Sequence, residues 1–420
     1  MTFSTDIREP REAFVWIWLP GQTQPVVAGR LAKTEKGLQF NYGKSFLQRR
    51  DAIPIYLPEL PLRPGSLPLP PGLSMPNCLR DASPDAWGRR VIINRVLGKQ
   101  NKNIDPAALG ELTYLLASGS DRSGALDFQA SPTEYKPRLS EQASLEQLIQ
   151  ASDYVEKGNP LPLALDQALM HGTSLGGARP KAQIEDGGHK YVAKFPSSTD
   201  IYSVVKAEFI SMRLAEVAGL NVAPVKLVKA LGRDILLIKR FDRRKTEEGW
   251  QRKAMVSGLT LLELDELMAR YASYEQLAEV IRHRFTNPKS TLREMFARMT
   301  FNILCSNTDD HARNHAAFWD GSGLSLTPAY DICPQPRTGN EATQAMLIHG
   351  ENRFSRLDVC LKAAPNFLLS EKEARSIMDA QIESIHKNWN PVCDQAELSK
   401  VDRNLFWKRQ FLNPYATRFY

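Results

Sequence analysis

The stretch Ser306-Asn307-Thr308-Asp309-Asp310-His311-Ala312-Arg313-Asn314 holds an aspartate and an asparagine, Asp309 and Asn314, with four residues between them. In phosphotransfer loops that spacing divides two tasks: the Asp meets the substrate hydroxyl and the Asn holds a metal ion. Asp331 lies further along, beyond two short strand-like segments, 316–319 and 324–326. Asp320-Gly321-Ser322-Gly323 between them has the composition of a hairpin turn. Such a hairpin returns the chain to its start and sets Asp331 beside Asn314. Hard oxygen ligands of this kind suit Mg2+ on a nucleotide triphosphate. Asp and Asn are also common in plain surface turns, so the loop taken alone is open to either reading.

Upstream residues supply what a phosphotransfer site needs besides a base and metal ligands. His171-Gly-Thr-Ser-Leu-Gly-Gly-Ala-Arg-Pro-Lys181 interleaves glycines with hydroxyls and cations. Glycines let the backbone approach a ligand closely, and backbone N–H groups in such loops cradle phosphates. The Walker A spacing is absent. Residues 181–184 and 190–195 read as a hairpin around Asp186-Gly187-Gly188, and its second strand carries Lys194 among apolar neighbours. Residues 204–218 read as a helix between Ser203 and Gly219, with Glu208 on its first turns. A strand lysine followed by a helix glutamate is the kinase order for gripping ATP phosphates. Taken singly, Lys194 also fits an edge lysine and Glu208 a solvent-facing carboxylate. A second hairpin, 225–229 with 234–239, ends in Arg240-Phe241-Asp242-Arg243, where a kinase hinge would hold adenine.

The remaining elements position these groups. Residues 14–19, 25–32, 38–42 and 53–57 read as strands of a β-rich front module. Ser83 and Pro84 resemble a helix start, residues 105–117 a second helix, and 145–155 a third. Gly119-Ser-Asp-Arg-Ser-Gly124 is a glycine-bounded loop that fits a structural turn better than a phosphate cradle. After Lys253 the pattern turns helical: 258–272, 274–285, 292–304, 371–386 and 399–411. The expected domains are 1–130, 131–255 and 256–420. A chain of 420 residues, 42% hydrophobic and 24% charged, has the composition of a globular protein. No apolar run is long enough to span a membrane, and the N-terminus lacks a signal-peptide pattern. Five dispersed cysteines without a Cys-x-x-Cys pair fit reduced thiols, hence a cytoplasmic location. A net charge of +7 permits contact with nucleic acid or an acidic partner without establishing either.

Together these segments resemble the HipA family of bacterial serine/threonine kinases, the toxins of type II toxin–antitoxin modules. The resemblance rests on Ser174-Leu-Gly-Gly-Ala-Arg-Pro-Lys181, Tyr191-Val-Ala-Lys-Phe195, Ile238-Lys-Arg-Phe-Asp-Arg243, Asn307-Thr-Asp-Asp-His-Ala-Arg-Asn314 and Tyr330-Asp-Ile332. It implies an α+β, two-lobed protein-kinase-like fold with an N-terminal β-rich subdomain and a mainly helical C-terminal lobe. By resemblance, Asp309 is the catalytic base, and Asn314 and Asp331 are Mg2+ ligands. Lys194 contacts the ATP phosphates, Ile238, Lys239, Arg240 and Phe241 form the adenine hinge, and His311 joins the cofactor-binding set. Ser174 matches a serine that family members autophosphorylate, which would switch the enzyme off. The implied partners are a HipB-like helix-turn-helix antitoxin, operator DNA through it, and a protein substrate such as an aminoacyl-tRNA synthetase. One departure bears on the substrate: where some members carry His-Gln-Glu-Asp, this chain reads Lys253-Ala-Met-Val-Ser-Gly-Leu-Thr-Leu-Leu262. Two alternatives remain, a small-molecule kinase of the aminoglycoside-phosphotransferase type and a non-catalytic DNA-binding co-repressor.

Overall fold

The computed structural model describes residues 9–99, 109–139, 143–169, 177–337 and 339–420. The chain forms two compact units, Met1–Ser198 with Asp242–Met255, and Thr199–Phe241 with Val256–Tyr420. One of these boundaries coincides with the expected division at 255, while position 130 falls inside the first unit. Residues 199–241 belong with the helical unit, and the charged stretch 242–255 returns to the β-rich one.

The first unit is built on an antiparallel sheet ordered Gly37–Tyr42, Val26–Thr34, Glu12–Ile17, Leu126–Gln129. Alternation along Glu12–Ile17 buries Ala13, Val15 and Ile17. Gly29 has no alternative, because a Cβ there would lie 2.1 Å from the Asn41 carbonyl oxygen and 2.6 Å from the Phe40 ring. The strand expected at 53–57 does not form. Pro54 has no N–H to give a ladder, and the Ile55 amide donates to Tyr42 Oη at 2.9 Å. The helix Ala86–Lys99 starts two residues later than Ser83-Pro84 suggests, and Asp85, not Ser83, accepts from the Gly88 amide. Of the helix expected at 105–117, the described part is Glu111–Ala117.

The loop at Gly119–Gly124 is structural, as its composition suggests. Arg122 is fully buried and donates to Asp127 Oδ1 at 2.9 Å and to the Ala82 carbonyl at 3.0 Å. Arg138 meets the same Asp127 oxygen at 2.9 Å, and Tyr135 and Gln129 donate to the other. Arg243 grips Asp121 Oδ1 through two nitrogens, at 3.0 and 2.8 Å, and Asp242 Oδ2 at 2.9 Å. These ties bind the stretch 242–255 into the first unit. That stretch forms a hairpin, Arg243–Thr246 with Gly249–Arg252. Sequence reading passed over it because its strands are charged rather than apolar. Trp250 supplies the apolar contact, with Lys190 and Lys245 ammonium groups 5.2 and 5.6 Å from its ring.

The second unit contains the helices Val204–Val217, Tyr274–Arg284, Pro288–Leu304 and Glu371–Gln395 and the hairpin Val225–Ala230 with Arg233–Lys239. The expected helix 258–272 is broken into Gly258–Leu261 and a 3-10 turn, Glu266–Tyr271. Glu263 takes a left-handed φ of 56°, and Asp265 caps the second segment through the Leu267 amide. The final helix Lys400–Phe406 is shorter than 399–411 and is capped by Ser399. All five cysteines are buried and free. Among the described residues no helix is long and apolar enough to cross a membrane.

Buried Glu59 makes the first unit sensitive to pH. Its carboxylate accepts from the Asn77 and Cys78 amides at 3.2 and 2.7 Å, yet burial outweighs these bonds and raises its pKa to about 7. A carboxyl with a raised folded pKa holds its proton more tightly folded than unfolded. Its contribution is therefore largest in acid and is lost as pH rises through about 7, on the order of 3 kcal/mol in all. Thermal unfolding of the wild type at pH 5 and pH 8 should show the lower midpoint at pH 8, and Glu59→Gln should narrow the difference.

Candidate active site

The second unit assembles Asp309, Asn314 and Asp331 on one loop and one returning hairpin. The helix Pro288–Leu304 delivers the chain, which then turns sharply at buried Ser306, φ 54°. Asn307 Nδ2 donates to Asn302 Oδ1 at 3.1 Å and to the Asp331 carbonyl at 3.3 Å. Asn314 Nδ2 donates to the Asp309 carbonyl at 3.2 Å. The strands Ala316–Trp319 and Leu324–Leu326 pair as the spacing expects, and Asp320 Oδ1 closes their turn by accepting from Ser322 and Gly323 amides at 2.8 Å. The returning chain is fixed by Tyr330 Oη, which donates to the Arg313 carbonyl at 2.8 Å. Tyr330 precedes Asp331 and Arg313 precedes Asn314, so the hairpin does bring the distant aspartate back to the loop. Buried Arg298 fastens the same segment from below, donating to the carbonyls of Thr327 at 2.9 Å and Asn221 at 3.2 Å.

The electrostatics of this loop fit a cation arriving with an anionic ligand. Asp309 is open to solvent on one side, yet its carboxyl pKa is raised. Partial desolvation is the main cause; His311 opposes it and the charge of Asp331 adds to it. Asp331 itself is held at a left-handed φ of 58°, a conformation unusual for a residue with a side chain. Two carboxylates and an asparagine are donors of the kind Mg2+ prefers, and the ion's charge would relieve the repulsion between Asp309 and Asp331. No cluster of three His, Cys, Asp or Glu occurs among the described residues.

The expected hinge lies in the same unit. Ile238 is buried opposite Val225, and the Lys239 amide donates to the Pro224 carbonyl at 2.8 Å. Arg240 is buried, and the Phe241 ring sits 5.6 Å from Tyr330 and 5.9 Å from Phe318. The expected hinge is thus joined through aromatic packing to the hairpin that leads to Asp331. Glu208 is buried rather than solvent-facing. His311 is half-buried, and its Nδ1 is a buried atom without a hydrogen-bond partner among the described residues.

In the first unit, Lys194 is buried at the end of His189–Lys194, directly opposite Lys181 on the neighbouring strand. Lys181 is also buried, and a Cβ on Gly177 would lie 2.2 Å from its ammonium nitrogen. Trp87 holds this base of the glycine-rich loop, its Nε1 donating to the Lys181 carbonyl at 3.0 Å and its amide to the Gly177 carbonyl at 3.3 Å. Lys181 Nζ lies 3.9 Å from Asp85 Oδ2, so a carboxylate already offsets the repulsion between the two cross-strand lysines. Lys181 was legible only as the last residue of the glycine-rich stretch. Ser174 lies outside the described residues.

Other residues of the loop went unassigned in the sequence. Asp310, beside the expected base, is buried together with His315 and Tyr274. Its Oδ1 lies 3.0 Å from His315 Nε2, and its Oδ2 accepts from Tyr274 Oη. Gly258 is packed against the loop: its amide donates to the His315 carbonyl at 2.6 Å, and a Cβ would lie 2.5 Å from the Ala312 carbonyl oxygen. The doublet Asp309-Asp310 was visible as a motif, but which carboxylate faces inward depends on a tyrosine far back in the chain.

The fold and the loop together define a protein of the two-lobed, kinase-like α+β class expected from the sequence. Residues 173–389 match the family model for the HipA-like C-terminal domain, and residues 17–129 match that for the HipA N-terminal domain. The chain belongs to the HipA family. It is 29% identical over 185 residues to the serine/threonine-protein kinase toxin HipA of Shewanella oneidensis, covering 38% of this chain and 42% of that one. It is 27% identical over 146 residues to a putative kinase, Y4mE, of Sinorhizobium fredii, covering 34% of this chain and 33% of that one. The matches thus span well under two thirds of these relatives' lengths. Among solved structures, the complex of Shewanella oneidensis HipA, HipB and operator DNA contains a chain that aligns with a TM-score of 0.68 at 22% identity, over 94% of this chain and 93% of that one. That likeness carries the fold.

Gly258→Ala should displace the loop, because the Ala312 carbonyl is backbone and cannot rotate aside. Chemical denaturation should show a loss of about 1–3 kcal/mol. A variant as stable as the wild type would mean that the contact is looser than described.

Proposed function

We propose that this protein is an ATP- and Mg2+-dependent serine/threonine protein kinase that acts as the toxin of a type II toxin–antitoxin module. The observation that carries the reading is the convergence of Asp309, Asn314 and Asp331 on one braced loop, with Phe241 of the hinge packed against Tyr330. In this reading Asp309 accepts the proton of a substrate hydroxyl as that oxygen bonds to the γ-phosphorus and the bond to the β,γ-bridging oxygen breaks, releasing ADP. Asn314 and Asp331 would hold the Mg2+ that comes with ATP, whose chemistry is to neutralise phosphate charge. Lys194 takes the phosphate contact, Ile238 to Phe241 take adenine, and His311 joins the nucleotide-binding set.

Autophosphorylation at Ser174 would switch the enzyme off by adding roughly 1.5–2 negative charges to the glycine-rich loop. The partner is a HipB-like helix-turn-helix antitoxin, with operator DNA reached through it. The Shewanella HipA structure, a complex with HipB and operator DNA, supports that part by analogy. The substrate is a protein of the translation apparatus, with an aminoacyl-tRNA synthetase the leading candidate, and the site of action is the cytoplasm.

Incubation of the purified protein with γ-labelled ATP and Mg2+ should place label on the chain, at Ser174 by mass spectrometry. Asp309→Ala should cut the labelling rate about 10²–10⁴-fold, the range for losing a general base. Labelling at the wild-type rate in that variant would remove Asp309 from the reaction.

A further inference from the structure

We infer that Asp310 is a positioning residue: its buried carboxylate fixes the tautomer of His315 and the hydroxyl of Tyr274, and through them the direction in which Asp309 faces. The inference rests on the kinase reading only for its kinetic consequence.

Three observations carry it. First, Asp310, His315 and Tyr274 are all buried, so the carboxylate cannot be satisfied by bulk water. Its two oxygens are met by two side chains, Oδ1 by His315 Nε2 at 3.0 Å and Oδ2 by Tyr274 Oη, while Tyr274 Oη and His315 Nε2 lie 3.3 Å apart. Second, His315 Nδ1 is buried and has no hydrogen-bond partner among the described residues. A proton on Nδ1 would have nothing to meet. The ring is therefore the neutral Nε2–H tautomer, donating to Asp310. Third, the trio closes the loop on itself. Asp310 and His315 bracket the 3-10 turn Ala312–Asn314, and Tyr274 anchors both from the start of another helix. Asp309 and Asp310 are neighbours, so fixing one side chain inside the unit fixes the backbone that aims the other outward.

Tyr274 is itself held by the chain that follows the metal loop. Its amide donates to the Leu347 carbonyl at 2.9 Å, and the Leu347 amide donates to the Ala272 carbonyl at 2.9 Å. Two residues earlier the same stretch reaches the catalytic loop directly, the Ala345 amide donating to the Thr308 carbonyl at 3.0 Å. Gln344 Nε2 donates to the Asn307 carbonyl, also at 3.0 Å. The trio is thus the side-chain half of a brace whose backbone half is the segment 344–347.

The distinguishing property is the tautomer. An amide in place of the Asp310 carboxylate has one acceptor oxygen and one NH2 donor. Its one oxygen cannot accept from both His315 Nε2–H and Tyr274 Oη, so either the proton leaves Nε2 or the Nε2–H bond is made to a neutral amide in place of a carboxylate. Proton and nitrogen NMR of histidine-labelled full-length protein, with His315 assigned by His315→Gln, should show an Nε2–H proton shifted downfield by the carboxylate in the wild type, and that proton lost or moved upfield in Asp310→Asn. With Mg-ATP, Asp310→Asn should lose about 100-fold in the autolabelling kcat, the scale of a 1 Å misplacement, while KM for ATP changes less than about threefold. Tyr274→Phe, which removes only the hydroxyl, should lose about tenfold. An unchanged His315 Nε2–H signal and wild-type kcat in Asp310→Asn would overturn the inference. So would a loss of kcat accompanied by loss of ATP affinity and a collapsed thermal midpoint, which marks a purely structural residue. If the wild type transfers no phosphate at all, the kinase reading fails, while the NMR result still decides whether Asp310 sets the tautomer.

Discussion

Asp309 and Asp331 are held near enough for the charge of one to raise the pKa of the other. Left to themselves, two carboxylates and a mobile loop would separate. Keeping them together needs a scaffold that fixes the backbone on both sides, and much of the second unit serves that end. Tyr330 ties the returning strand to the loop, Arg298 ties it to the long helix, and Asn307 reaches across to the Asp331 carbonyl. Even the left-handed backbone at Asp331 and Ser306 belongs to this arrangement. Backbone strain at such positions persists only where surrounding contacts over-determine it.

The first unit solves a similar problem with opposite means. There the buried charges are paired inside the protein: Arg122 with Asp127, and Arg243 with Asp121 and Asp242. Burying an ion pair is worth little in net stability, but breaking one leaves an uncompensated charge. The pairs therefore act chiefly as a geometric specification, fastening the stretch 242–255 to the loop at 119–124. The two units thus show the same residue types in different roles. Carboxylates matched by internal cations hold structure in the first unit, while in the second the charge of Asp331 acts on Asp309 across the loop.

Much of this was legible in the sequence because it depends on local spacing. The hairpin between Asn314 and Asp331 was readable from two apolar segments and a Gly-rich turn, and it formed with those bounds. The Lys194 strand and the helix carrying Glu208 were readable from alternation and end signals. The failures have physical causes. Residues 53–57 looked like a strand, but Pro54 has no N–H to give a ladder and a tyrosine hydroxyl takes the Ile55 amide. The hairpin at 243–252 was invisible because its strands are charged and its apolar contact comes from one tryptophan. Asp310 had no readable role because its partner Tyr274 is far away in the chain, and no local pattern announces a buried tyrosine–carboxylate bond.

Under the proposed function the second unit would supply a divalent-cation site completed by nucleotide. Manganese, a spectroscopic substitute for Mg2+, tests this directly by electron paramagnetic resonance. Titrated into the full-length protein, Mn2+ should bind weakly alone and at least tenfold more tightly with ATP present. Asp331→Ala and Asn314→Leu should each abolish that gain. Equal Mn2+ binding with and without ATP, or a gain that survives both substitutions, would contradict the account.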